Sequence, residues 1–166
     1  MNETIVNYQP FSTNDQLSIV NQKKIQHLYW RAGFGISLEK LESKTNQPIK
    51  KIVNKLINDA KKITLLNGEL GKTDYESLKK MSKAQKKEFR EKSVQNNRKL
   101  NALWVEQMAK SANPLLERMT LFWHGHFACT SKIGALAHNQ LLTLKKHALG
   151  NFRDLVVAVA KDPAMI

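Results

Sequence analysis

The sequence predicts an all-α fold of about six to eight helices, irregularly arranged around a buried central helix at 114–127. Three observations carry that expectation. Apolar residues recur at helical spacing, most clearly Ile49, Ile52, Val53, Leu56, Ile57 and Ala60, which fall at i, i+3, i+4, i+7, i+8 and i+11. Helix-start and helix-stop residues bracket such windows. No segment alternates apolar and polar residues for long enough to make a strand, and no internal repeat is visible.

Taken in order, residues 1–20 are of mixed polarity with Pro10 and read as an irregular lead-in. From about Asn21 the pattern is helical, with Ile25, Leu28 and Tyr29 on one face and a stop at Gly33 or Gly35. Ser37 is placed to cap a short turn of helix that carries Leu38 and Leu41. Gln47-Pro48 opens the helix that runs to Ala60, because proline suits the first helical position. Residues 64–76 contain Asn-Gly and a second glycine and read as a loop.

A long helix follows, roughly Ser82 to Lys110, charged in its first half and striped with Leu100, Leu103, Trp104 and Met108 in its second. Asn96 and Asn97 continue that stripe, so the first half should protrude or meet something polar. Asn113-Pro114 opens a segment apolar around most of its circumference, through Leu115, Leu116, Met119, Leu121, Phe122, Trp123 and Phe127. That is the pattern of a buried helix, and Gly125 would admit a close backbone neighbour. After a break at 130–137, a helix over about Asn139–Leu149 ends at Gly150. Asn151 caps the last helix with Asp154 in capping-box position, and Phe152, Leu155, Val156, Val159 and Ala160 form its expected buried stripe. The predicted organisation is thus an irregular segment, 1–20, and one helical domain, 21–166. Asp162-Pro163 repeats the helix-start signature just before the last residues, so the domain is expected to be truncated at its C-terminus.

The 166 residues carry 27 Lys and Arg against 14 Asp and Glu, a net charge of +13. Hydrophobic residues at 42% exclude wholesale disorder. The single cysteine, Cys129, excludes a disulfide framework. No apolar run approaches the ~20 residues of a membrane-spanning helix. The N-terminal stretch has polar and acidic residues where a signal peptide needs a basic stub and an apolar run, which as written points to the cytoplasm.

Three segments carry a family resemblance: HLYWRAGFG (27–35), PLLERMTLFWHGHFACTSK (114–132) and LKKHALGNFRDLVVAVAKDPAMI (144–166). They resemble the bacterial domain of unknown function 1800 family, in which comparable stretches read approximately H-L-L-R-R-A-G-F-G, E-R-M-x-x-F-W-H-x-H-F and H-A-x-G-N-F-R-D-L-L with D-P-A-M. Tyr29-Trp30 stands where two other residues are usual, and residues 61–112 carry no family motif. The resemblance implies the N-terminal part of a longer protein, with the remainder of its own chain as a partner. It implies no catalytic residue, because the family has no established activity. It also implies export for many members, in contrast to this chain's N-terminus.

Several constellations bear on chemistry. His124, His126 and Cys129, with His138 or His147, are natural ligands for a divalent transition metal. On a regular helix, however, His124 and His126 point about 200° apart, and His126 shares a face with Met119, Phe122 and Trp123. A structural reading is therefore preferred, with Thr120 as acceptor for His124, and no cofactor is evident. Cys129 beside buried aromatics reads as a small hydrophobe rather than a nucleophile. Glu117 with Arg118, and Arg153 with Asp154, read as fixed charges between packed helices. Trp123, Phe122, Phe127, Arg153 and Asp154 are assigned structural roles.

The stretch 79–99 holds Lys79, Lys80, Lys83, Lys86, Lys87, Arg90, Lys92, Arg98 and Lys99 against Glu88 and Glu91. Such a helix could attract nucleic acid, an acidic protein or an anionic surface, although it lacks interleaved aromatics for base stacking. Gly68 to Thr73 ends like a phosphate loop, but its glycines are too close together for one. The preferred function is a helical scaffold or binding portion of a larger protein. The alternatives are a metal-dependent enzyme completed by residues beyond 166, and electrostatic binding through the basic helix.

Overall fold

A computed structural model describes residues 13–62, 80–129 and 131–165. These form seven helices and no strand: α1 (Thr13–Ala32), α2 (Leu38–Glu42), α3 (Ile49–Ala60), α4 (Lys83–Lys110), α5 (Pro114–His126), α6 (Gly134–His147) and α7 (Phe152–Ala160). The fold is all-α, as the periodicity predicts. The expected lead-in at 1–12, the loop at 64–76 and the Gly68–Thr73 segment lie outside the described residues.

The chain divides into two compact units, residues 1–54 and residues 55–166, with the division inside α3. In the first unit, α1 begins at Thr13, eight residues before the expected start. It ends before Gly35, whose φ of +108° lets the chain reverse. The Gly35 N–H then donates 3.2 Å to the Tyr29 carbonyl and closes the helix end. Ser37 caps α2 by accepting from the Lys40 N–H. Ile25 and Leu41 are buried here. The Asn21 amide donates to the Thr45 and Gln47 carbonyls, tying α1 to the turn before α3.

In the second unit, Ser82 and Gln85 form a complete capping box at the start of α4, so the helix begins where the sequence places it. Leu100 and Trp104 of α4 pack with Leu141 of α6. Ala60, Leu116 and Ala148 make a second cluster, and Leu144, Leu155 and Val159 a third. The element common to these contacts is α6, which packs against α4, α5 and α7.

That corrects the expectation of a buried central helix at 114–127. Of α5, only Leu116, Glu117 and Thr120 are buried, whereas α6 buries Gly134, Ala135, Gln140, Leu141, Leu144 and Lys145. An apolar circumference marked α5 as central, yet Arg118, Phe122, Gly125 and His126 stay exposed along one side of it. The start of α6 also comes five residues earlier than expected, at Gly134, because Ile133 supplies no side-chain cap to announce it.

The close backbone approach occurs at Gly134 rather than Gly125. A Cβ on Gly134 would meet Asn96 Cβ at 2.8 Å, whereas one on Gly125 would meet nothing within 4 Å. Gly134 therefore lets α6 cross α4 tightly beside the buried Ser93. Asn97 does meet something polar there, since its Nδ2 donates 3.1 Å to the Ser131 carbonyl. At α7, Asn151 accepts from the Arg153 N–H at 2.8 Å, so the cap engages the second helical residue rather than Asp154.

Candidate functional site

The two imidazoles of α5 are sorted to different surroundings, because the helix continues through Gly125 to His126. The His124 ring meets Trp104 edge-on, with centroids 5.1 Å apart. The Thr120 hydroxyl, expected to serve His124, instead donates 2.8 Å to the Leu116 carbonyl within its own helix. Burial disfavours the imidazolium and holds the His124 pKa below its ordinary value.

His126 is exposed, and it contacts Phe122, Trp123 and Phe127 on an aromatic surface. His147 ends α6, where its carbonyl accepts from the Gly150 N–H. Among the described residues, no group of three or more His, Cys, Asp or Glu side chains is placed to hold a metal ion.

His124 lines a half-enclosed cavity of about 180 Å³ with Asn97, Trp104, Cys129 and Gln140. The Cys129 thiol has two acceptors there, Gln140 Oε1 at 3.3 Å and the Ala164 carbonyl at 3.1 Å. Its role is to fasten the 162–165 turn onto α6. Asp162 in turn accepts from the Ala164 N–H at 2.9 Å, an Asx turn that holds residues 162–165. A wider cleft of about 570 Å³ in the first unit, between α1 and the turn at 45–48, brings together no residue of the candidate sites.

The charge fixed between packed helices is Glu117, but its partner is Lys145, which sequence reasoning missed. The ammonium lies 2.7 Å from Glu117 Oε1, and both side chains are fully buried. The signal was available: Lys145 sits one turn beyond Leu141 and next to Leu144, on the stripe that α6 buries. Arg118, Arg153 and Asp154 are exposed.

The structural aromatics divide. Trp123 is half-buried and its indole Nε1 donates 2.9 Å to the Ala148 carbonyl, joining α5 to the end of α6. Phe127 stacks on Trp123 at 5.8 Å. Phe122 remains 56% exposed, with its ring edge-on to Trp123 at 4.9 Å. Phe152 of α7 lies 5.7 Å from Trp123 and is 57% exposed. The expected stripe of α7 is thus split: Leu155 and Val159 are buried, while Phe152, Val156 and Ala160 face outward. The result is a partly exposed set of rings across α5 and α7, with Trp123 between Phe122 and Phe152.

The remaining candidate residues lie on α4 and just before it. Lys80, Lys83, Lys86, Lys87, Arg90, Lys92, Arg98 and Lys99 are all exposed, and Lys79 falls outside the described residues. Over 83–92 no residue is buried against the described chain, and Phe89 alone is half-buried.

This is an all-α chain in which helix α6 gathers its neighbours, with a bare aromatic face and a basic helix. It matches the family model described as protein of unknown function (DUF1800) over residues 27–166, and it belongs to that family. The family has no established activity. Comparison with curated proteins and with solved structures gives no match. No helix among the described residues is long and apolar enough to cross a membrane.

Proposed function

We propose that this chain is a helical scaffold, the binding portion of a larger protein, and that its docking face is the surface of Phe122, Trp123, Phe152 and Val156. The observation that carries the reading is the split stripe of α7, which leaves Phe152 57% and Val156 37% exposed, with Phe152 against the Trp123 ring that Phe122 also meets. Isolated exposed apolar residues are ordinary, but a contiguous set held by ring contacts across two helices is the character of an interaction site. Its aromatic content suits a packed interface, and exposed Arg118 and Arg153 adjoin it. The partner is the remainder of its own longer chain.

The experiment compares the 166-residue chain with the product of the same reading frame extended past Ile166. The double variant Phe122→Ser/Phe152→Ser should change the melting temperature of the 166-residue chain little, because both rings are largely exposed. In the extended protein it should lower the melting temperature by several degrees, about what the loss of ~1–2 kcal/mol produces in a domain of this size or larger. Equal effects on both proteins, or a frame that closes at Ile166, would refute the proposal.

A further inference from the structure

The first half of α4 presents a linear array of charge. Lys83, Lys86, Lys87 and Arg90 fall at i, i+3, i+4 and i+7, and Arg98 returns to the same side two turns later. At ~1.5 Å per residue the array extends about 22 Å along a straight rod. All five side chains are exposed, and none makes an ion pair with a described residue. By contrast, Lys55 and Lys110 are each paired with a carboxylate one turn away, at 2.9 and 2.7 Å. Between Arg90 and Arg98 the surface opens into a groove of about 410 Å³, shared with Glu91, Val94 and Gln95.

We infer that this stripe of α4 is a binding site for the phosphate backbone of duplex nucleic acid, without sequence preference. Exposed cations in a row gain by releasing condensed counterions from a regular polyanion. The chemistry disfavours two other partners. Single strands are held by stacking on aromatic rings, and the one ring here, Phe89, is half-buried, on the side of Ser93 and Leu100. A lipid surface is gripped by a broad apolar face, and over 83–98 the one exposed large apolar side chain is Val94.

The test measures binding of a fluorescent 20-base-pair duplex to the whole chain between 50 and 200 mM salt. Five phosphate contacts give a logarithmic salt slope of about −4.5, a loss of about 500-fold over that range. Lys86→Glu/Arg90→Glu should weaken binding at least tenfold at 50 mM and flatten the slope to about −2.7. Lys92→Glu/Lys99→Glu changes net charge equally on another side of the helix and should leave the slope unchanged, with circular dichroism confirming that both variants are folded. No binding at 50 mM, or equal weakening by the two pairs of substitutions, overturns the inference. So does displacement of the duplex by poly-glutamate at matched charge, or preferential capture of the chain by phosphatidylserine vesicles.

Discussion

Glu117 and Lys145 form an ion pair sealed from water, with Lys145 Nζ 2.7 Å from Glu117 Oε1 and neither side chain exposed. The contact joins α5 to α6, although neither carboxylate oxygen receives a well-aligned hydrogen bond. A buried pair in this state specifies how two helices meet more than it stabilises them, because desolvation offsets much of the attraction.

Glu117→Gln should therefore destabilise the chain by about 3–5 kcal/mol, since it takes the neutralising carboxylate from the buried Lys145 ammonium. Glu117→Gln/Lys145→Met removes the buried charge and should recover much of that loss. Urea unfolding of the wild type, the single variant and the double variant checks the sign of the coupling.

Glycine position should matter oppositely in α5 and α6. Gly134→Ala drives a Cβ to within 2.8 Å of Asn96 Cβ, a contact that forces α4 and α6 apart. The expected loss is about 1–3 kcal/mol. Gly125→Ala meets open space within a helix, and should be neutral or stabilising by up to about 1 kcal/mol. Paired thermal melts of the two variants decide this.

The sign of a pH effect follows from His124. Burial lowers its pKa in the folded chain below the ordinary 6.5, so the unfolded chain binds the proton first as pH falls. Its contribution to stability is complete above about pH 6.5 and is lost as pH drops toward the folded-state pKa. His124→Phe should flatten the melting-temperature profile between pH 7 and 5. An NMR titration placing the His124 midpoint above 6.5 would contradict the assignment.

Cys129 fastens the 162–165 turn onto α6. Cys129→Ser keeps a donor for Gln140 and the Ala164 carbonyl, whereas Cys129→Ala leaves both acceptors without it. Cys129→Ala should cost up to about 1 kcal/mol more than Cys129→Ser, and hydrogen exchange at Ala164 and Met165 should rise in Cys129→Ala alone.

Helix ends with a chemical signature were legible in the sequence. Ser37, the Ser82–Gln85 pair, Pro114 and Asn151 each fix a start through a local bond or a preset dihedral that needs no distant partner. The start of α6 carries no such residue and was missed. Burial was harder to read, because it depends on which neighbours arrive. Phe122 and Phe152 are as apolar as Leu144, yet only Leu144 has helices on its side. The same limit hid Lys145, whose partner lies 28 positions earlier in the chain, and Gly134, whose smallness matters only because α4 crosses there. The basic stripe was visible as composition, while its lack of ion pairs among the described residues belongs to three dimensions.

The bare end of α4 also has a consequence for how that helix exists at all. Ten residues of mixed charge would hardly stay helical alone in water, because nucleating a first turn is unfavourable. Here Ser93, Leu100 and Trp104 are held in the packed half, so the free half has only to propagate from an existing template toward its capping box. Amide protection should therefore fall steadily from Trp104 back to Lys83, making α4 a rod with a graded rigidity: fixed at its root, and increasingly able to unwind and rewind at its charged tip.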